Sequence, residues 1–160
     1  MTNTKHTLVA LVEDKPGVLN RVASLFRRRA FNIESIAVGR SEKPGLSRMT
    51  VVVDGDSAKV EQVRKQLDKL INVVRVTDIT AEDIVTRELA LIKVNATAVT
   101  RSEIMQIVDI FRANIVDVAS NSLTVEVTGD EDKVESMLEL LRSFGVKEIS
   151  KTGKIALTRG

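Results

Sequence analysis

Cysteine, tryptophan and tyrosine are absent from the 160-residue chain, proline occurs twice, phenylalanine four times and histidine once. Without cysteine there is no disulfide framework, no thiolate metal site and no cysteine nucleophile. His6 alone cannot build a multi-histidine zinc site. It lies in the first apolar run, near the start of the chain, with no local base or nucleophile beside it. No stretch reaches the ~18 consecutive apolar residues of a membrane helix, and Met1 to Val12 shows no charged leader followed by a long apolar run. The expectation is a cytoplasmic protein with no metal, no membrane and no catalytic centre of its own.

What is present describes a globular chain. Hydrophobic residues make up 43% and charged residues 29%, and the net charge is +2, a balance that supports one ordinary core or two small ones. The charge is uneven: residues 1–80 carry 14 Lys/Arg against 9 Asp/Glu, and residues 81–160 carry 10 against 13. A basic half raises the question of nucleic acid.

Apolar periodicity supplies the elements. Thr7 to Val12 is apolar on both alternations, as a strand buried on two faces would be. Asp14-Lys-Pro-Gly17 ends it, and Pro16 suits the first turn of a helix. Val18, Leu19, Val22, Leu25 and Phe26 then form a one-sided helical stripe. Asn32–Val38 and Met49–Val53 read as strands around a turn at Lys43-Pro-Gly45. Val60, Val63, Leu67, Leu70 and Ile71 mark a second helix, and Val73–Ile79 a last strand. The second half repeats the order. It has a strand at Leu89–Ala96, a helix on Ile104, Ile107, Val108 and Phe111, and strands at Ile115–Val118 and Leu123–Val127. A helix on Val134, Met137, Leu138 and Leu141 follows, then a final strand or hairpin within Val146–Leu157. The fold class is therefore α+β, two consecutive ferredoxin-like βαββαβ modules. The domain reading is 4–80, a linker at 81–87, and 88–160. Modules this small bury only ~60% of their unfolded surface, so bare sheet faces and open edges predict association.

Three kinds of chemistry compete for this frame. Asp130-Glu-Asp132 could hold a hard cation, but it opens a helix, where carboxylates suit the dipole. Base stacking on the sheet needs exposed aromatics on the central strands, and Thr7–Val12 and Met49–Val53 contain none. Arg27, Arg28 and Arg29 are a basic run at the end of the first helix, read as a solvated face or a protein contact. The third candidate is a small-molecule sensor. The helix start after Pro16 offers unpaired amides to an anion, and Gly17 permits close approach to the backbone. Asp14 and Asn32 could meet an ammonium, and Val18, Leu19 and Ile33 could wall an aliphatic group. The same residues also serve simply as turn formers; both readings stand at this point.

The segment Asp14-Lys-Pro-Gly-Val-Leu-Asn-Arg21 resembles the amino-acid-binding loop of ACT domains. With Phe31-Asn-Ile-Glu-Ser-Ile36, Gly45-Leu-Ser-Arg-Met-Thr50 and Arg87-Glu-Leu-Ala-Leu-Ile-Lys-Val94, the chain resembles the regulatory (small) subunit of acetohydroxyacid synthase, also called acetolactate synthase. The likeness covers nearly the whole chain, including Phe111-Arg112 and Ile115-Val-Asp-Val118. It implies a first module that is an ACT domain and a non-catalytic subunit that activates a separate catalytic (large) subunit. It further implies feedback inhibition by valine in branched-chain amino acid synthesis. Thiamine diphosphate, Mg and FAD are expected in the catalytic partner and no cofactor here. Family ACT modules pair side by side, so a homodimer is implied, with valine at the interface on Asp14, Gly17, Val18, Leu19, Asn32 and Ile33. Arg27, Arg28 and Arg29 are the expected contact with the catalytic subunit. Two departures stand out. The family often has asparagine at Asp14 and usually glycine at Ala30, where alanine meets a steric penalty in a left-handed helix end. The alternative is a free-standing ACT or ferredoxin-like module that regulates another amino-acid enzyme or binds RNA.

Overall fold

The structure, a computed structural model, describes residues 4–160; the first three residues of the stretch read above for a leader lie outside them. Its elements in chain order are β1 (Thr4–Glu13), α1 (Val18–Arg28), β2 (Asn32–Arg40), β3 (Leu46–Gly55), α2 (Ser57–Asp68) and β4 (Val73–Asp78). There follow β5 (Ile84–Asn95), α3 (Arg101–Ile110), β6 (Asn114–Val118), β7 (Ser122–Gly129), α4 (Glu131–Arg142), β8 (Val146–Lys151) and β9 (Ile155–Thr158). The βαββαβ order is thus realised twice. The strand order is β2-β3-β1-β4 in one sheet and β6-β7-β5-β8 in the other, with β9 also paired to β5.

In the first sheet β1 pairs antiparallel with both β3 and β4, which leaves β2 and β4 as edges. Because side chains alternate along a strand, Leu8, Ala10 and Val12 of β1 and Met49, Val51 and Val53 of β3 face one way. They meet Val18, Val22, Leu25 and Phe26 of α1 and Val60, Val63 and Leu67 of α2 in one core. Asn20, Ser24 and the two valines make α1 an indifferent helix former, at a few tenths of a kcal/mol each. Burial of Val22 and Phe26, roughly 1.5–3 kcal/mol apiece, outweighs that, so packing holds this helix. The second core follows the same plan with Ala90, Ile92, Val94, Ile104, Val108, Leu123, Val125, Val127, Val134, Met137, Leu138 and Leu141.

Helix ends obey local chemistry. Asp56 accepts a hydrogen bond from the Ala58 amide at 2.8 Å at the start of α2. Asp130 accepts one from the Lys133 amide at 2.9 Å at the start of α4, so the Asp130-Glu-Asp132 run includes a helix cap. The end of α1 is a Schellman turn. Ala30 is left-handed with φ 57°, its amide donates to the Arg27 carbonyl at 3.1 Å, and the Phe31 amide donates to the Phe26 carbonyl at 3.1 Å. The Phe26 and Phe31 rings meet edge to face at 6.3 Å. Alanine takes the conformation that glycine would supply, and Asn32 follows it directly into β2.

The chain forms two compact units, and their limits depart from the sequence reading. The first runs to Val85 and also takes in Lys154–Gly160; the second is Thr86–Gly153. Residues 84–87 of the stretch read as a linker lie in β5. The last seven residues, read as part of the second module, return to the first. There Ala156 packs with Val9, Ile79 and Ile84 on the face of β1 turned away from the helices. The Arg48 guanidinium donates to the Ala156 carbonyl at 3.1 Å, and the Lys154 amide donates to the Ser35 hydroxyl at 2.7 Å. The open face of this sheet, its apolar surface expected to be met by another module or chain, is covered along Val9 by residues of the same unit.

Candidate effector site

The turn from β1 into α1 is held by backbone bonds on each side. The Glu13 amide donates to the Asn72 carbonyl at 2.8 Å, the Asp14 amide to the Gly45 carbonyl at 2.9 Å, and the Lys15 amide to the Glu13 carbonyl at 2.9 Å. Gly17 then takes φ 83°, ψ −8° as the residue before the helix, a left-handed position that a β-carbon disfavours. No side chain caps α1, and no acidic residue lies in its first turn; the Val18 amide reaches the Lys15 carbonyl only at 3.4 Å. By contrast, α2 and α4 are capped by carboxylates. The start of α1 is therefore a partially positive end without a built-in anion. A Cβ added at Gly17 would meet nothing within 4 Å, so the backbone there is open to an incoming group.

Around this end stand Asp14, half-exposed and 3.8 Å from the Arg40 guanidinium, and Leu19, 48% exposed. Val18, by contrast, is 3% exposed and belongs to the core; it contributes its amide rather than a pocket wall. Side chains brace the turn as well. The Asn72 amide donates to the Glu13 carboxylate at 3.1 Å, Arg21 donates to the Asn72 carbonyl oxygen, and Lys15 pairs with Glu13 at 2.9 Å. The Lys15 ammonium first, and the Asn72 amide next, hold the Glu13 carboxyl below its usual range. Glu13, Arg21 and Asn72 were not singled out from the sequence; a lone asparagine in the α2–β4 connection carries no motif.

Asn32 and Ile33 lie elsewhere. Glu13 pairs with Leu46 at one end of β3, whereas Asn32 pairs with Asp54 at the other. Eight residues of β3 separate the two levels, about 26 Å at ~3.3 Å per residue. One chain therefore does not bring Asp14 and Asn32 together. Ile33 packs partly buried against the core, and Asn32 is exposed at the start of the edge strand β2. On the same edge Ile36 and Val38 are 37% and 48% exposed.

The second unit repeats this frame with different residues. The Asn95 amide donates to the Gly145 carbonyl at 2.8 Å as Glu13 does to Asn72, and the Ala113 amide donates to the Val108 carbonyl at 2.9 Å as Phe31 does to Phe26. The register slips between Ile115 and Asp117 as it does between Ile33 and Ser35. Asn114 is thus the counterpart of Asn32, Ala96 of Asp14, and Val99 of Gly17. Here the helix start is closed from within: the Thr97 amide donates to the Thr100 hydroxyl at 2.8 Å, and the Thr100 amide to the Thr97 hydroxyl at 3.1 Å.

His6 proves to have partners that sequence distance concealed. Its Nδ1 lies 2.9 Å from Asp78 Oδ2, and its Nε2 lies 3.0 Å from the Thr4 hydroxyl and 3.4 Å from that of Ser57. Burial of Asp78 raises its pKa, but the Thr80 hydroxyl and amide, then His6, outweigh this and bring it below the usual value. At the neighbouring start of α2 the Asp56 carboxylate caps the Ala58 amide; the cluster joins β1, β4 and α2. Arg27 and Arg28 are exposed in the last turn of α1, and Arg29 follows as its cap, positions that cations favour at a helix C-terminus. Phe26 is buried, and Phe31, Phe111 and Phe144 pack partly buried against the two cores. Among the described residues no helix is long and apolar enough to cross a membrane, and no group of three or more His, Cys, Asp or Glu could hold a metal ion.

The first βαββαβ unit, with its uncapped, glycine-turned first helix, matches an ACT-type module. The comparisons agree: residues 8–75 match the small-subunit-like ACT domain of acetohydroxyacid synthase, and residues 87–160 match the small subunit of acetolactate synthase. The chain is 58% identical over 156 residues to a probable acetolactate synthase small subunit of Archaeoglobus fulgidus, covering 98% of each. It is 53% identical over 160 residues to the acetolactate synthase small subunit of Mycobacterium bovis, covering 100% of this chain and 95% of that one. Among solved structures it matches the acetolactate synthase small subunit of Thermotoga maritima with TM-score 0.90 and 46% identity, over 98% of both chains. The chain belongs to the acetolactate synthase small-subunit family, and its role is regulatory.

Proposed function

We propose that this subunit activates the acetolactate synthase catalytic subunit and makes it sensitive to valine, which binds between the ACT units of two copies. The observation that carries this reading is the register of β2. Laying β2 antiparallel on β2 of a second copy, centred near Ile36, sets Asn32 of the second copy opposite Arg40. Arg40 is the residue beside Asp14. The sheet length that separates Asp14 from Asn32 within one chain is what joins them across two. The same pairing covers the exposed Ile36 and Val38 and satisfies the free edge of β2.

In that site the valine carboxylate lies on the amides behind Gly17, as anions do at helix starts. Its ammonium lies between Asp14 and Asn32 of the second copy, and its isopropyl group against Leu19. Ile33 supports the strand from the core side. The second unit lacks this chemistry, since Ala96, Val99 and the Thr97–Thr100 pair replace Asp14, Gly17 and the open helix start. At roughly 0.5–1 kcal/mol for each of valine's eight heavy atoms, affinity falls between about millimolar and micromolar. Valine shifts the assembly only through a difference in affinity between its two states. Catalysis and its cofactors, thiamine diphosphate, Mg and FAD, belong to the large subunit in the cytoplasm. Arg27, Arg28 and Arg29 present a basic face to that partner.

The test is reconstitution. Adding this chain to the purified catalytic subunit raises acetolactate output, and valine lowers it again. No rise, or a rise indifferent to valine, refutes the proposal. Calorimetry on the chain alone should show heat with valine; heat with lysine and none with valine points to a different effector.

A further inference from the structure

Asn72 occupies a singular place beside the effector turn. Its backbone carbonyl receives the Glu13 amide, its side-chain amide donates to the Glu13 carboxylate, and its side-chain oxygen receives Arg21. Glu13 is the last residue of β1, and Arg21 lies one turn into α1, its own amide bonded to the Gly17 carbonyl at 3.0 Å. One side chain thus ties together the two ends of the segment that carries Asp14, Pro16 and Gly17. We infer that Asn72 is a positioning residue for the effector: by fixing the gap between β1 and α1 it sets where the amides behind Gly17 point. It does not itself touch the effector. This inference rests on the valine reading above.

The second unit supplies the internal control. Its counterpart of Asn72 is Gly145, which keeps the backbone bond to Asn95 and has no side chain to bridge anything. A unit of this fold therefore closes without the bridge. The bridge occurs in the unit whose helix start is left open, and it is missing where the Thr97–Thr100 pair closes that start from within. The second unit thus makes its strand-to-helix turn with no counterpart of the Asn72 side chain.

The experiment uses the full chain with the catalytic subunit and reads three quantities: maximal activation, the valine concentration for half-inhibition, and the melting temperature. Asn72→Ala removes both side-chain bonds. Asn72→Asp keeps the acceptor for Arg21 and sets a carboxylate against Glu13. The pair Asn72→Asp with Glu13→Gln restores a donor and an acceptor with their roles exchanged. Loss of one or two partly exposed hydrogen bonds predicts that half-inhibition moves about three- to tenfold upward in each single variant. Maximal activation stays unchanged, and the double variant returns towards the parent. The inference is overturned if the single variants respond to valine like the parent, if activation and melting fall in step with valine response, or if the double variant recovers nothing. If the parent itself neither binds nor responds to valine, the underlying reading fails and takes this one with it.

Discussion

Gly17 offers the sharpest test of the effector site, because a side chain placed there enters the space assigned to the valine carboxylate. The position has φ 83° and no atom within 4 Å of an added Cβ, so substitution creates strain but no clash. Asparagine and aspartate are the side chains that best tolerate left-handed backbone. They share shape and capping ability and differ in charge. Gly17→Asn therefore measures strain and competition for the amides, and Gly17→Asp adds a carboxylate facing the effector's own. At about 5 Å, with an effective dielectric between about 40 and 80 for a half-exposed site, that repulsion is about 0.8–1.7 kcal/mol. Valine should bind Gly17→Asp about 4- to 16-fold more weakly than Gly17→Asn. Screening reaches about 8 Å at physiological salt and about 3 Å at 1 M, so the difference should shrink in high salt. Titration calorimetry at two salt concentrations, with valine inhibition of the reconstituted enzyme alongside, reads both effects. Equal binding by the two variants means that no carboxylate lies near Gly17, and the site would have to be sought elsewhere.

Other expectations concern the frame around the site. Ala30→Gly relieves a left-handed alanine and should stabilise the chain by ~0.5–1 kcal/mol in urea denaturation, net of glycine's greater freedom when unfolded; a loss of stability refutes the strain. Gly55→Ala places a Cβ 2.4 Å from the Phe31 ring and should cost about 1–3 kcal/mol as the ring is displaced beside Asn32; a neutral result shows that the ring yields freely. The depressed pKa of Asp78 means that its ionised form stabilises the fold above the ordinary carboxyl value of 3.8, and that this is lost as pH falls through the lower folded value. Asp78→Asn should therefore be less stable than the parent near neutral pH, with the gap closing in acid; a gap that widens below pH 3.8 contradicts the sign.

Much of the fold was legible because the relevant signals are local. The two-sided apolar run at Thr7–Val12 announced a strand packed on both faces, and Asp130-Glu-Asp132 announced a helix start. Repetition of the pattern announced two modules. What escaped were relations that sequence spacing does not encode. The strand Ile155–Thr158 is four residues long, with its partners far back in the chain, so nothing nearby marked its return to Val9. His6 looked solitary because Asp78 is distant in sequence. Asp14 and Asn32 read naturally as one cluster; only the pairing of β1 and β2 with β3 shows that they stand near its opposite ends. Asn72 was invisible for a similar reason: its three bonds converge on one turn only after β4 has been laid beside β1.

The return of residues 154–160 has a bearing on how the protein is made. Multidomain chains commonly complete their leading portion while the rest is still being synthesised, but here the leading unit lacks a piece until residues 154–160 have been added. The Ser35 hydroxyl and the Arg48 guanidinium wait for Lys154 and Ala156, and Val9 waits for its cover. The intervening unit, Thr86–Gly153, is contiguous and is whole before the first unit is. A chain cut short after residue 153 would carry a first unit with an unfinished back.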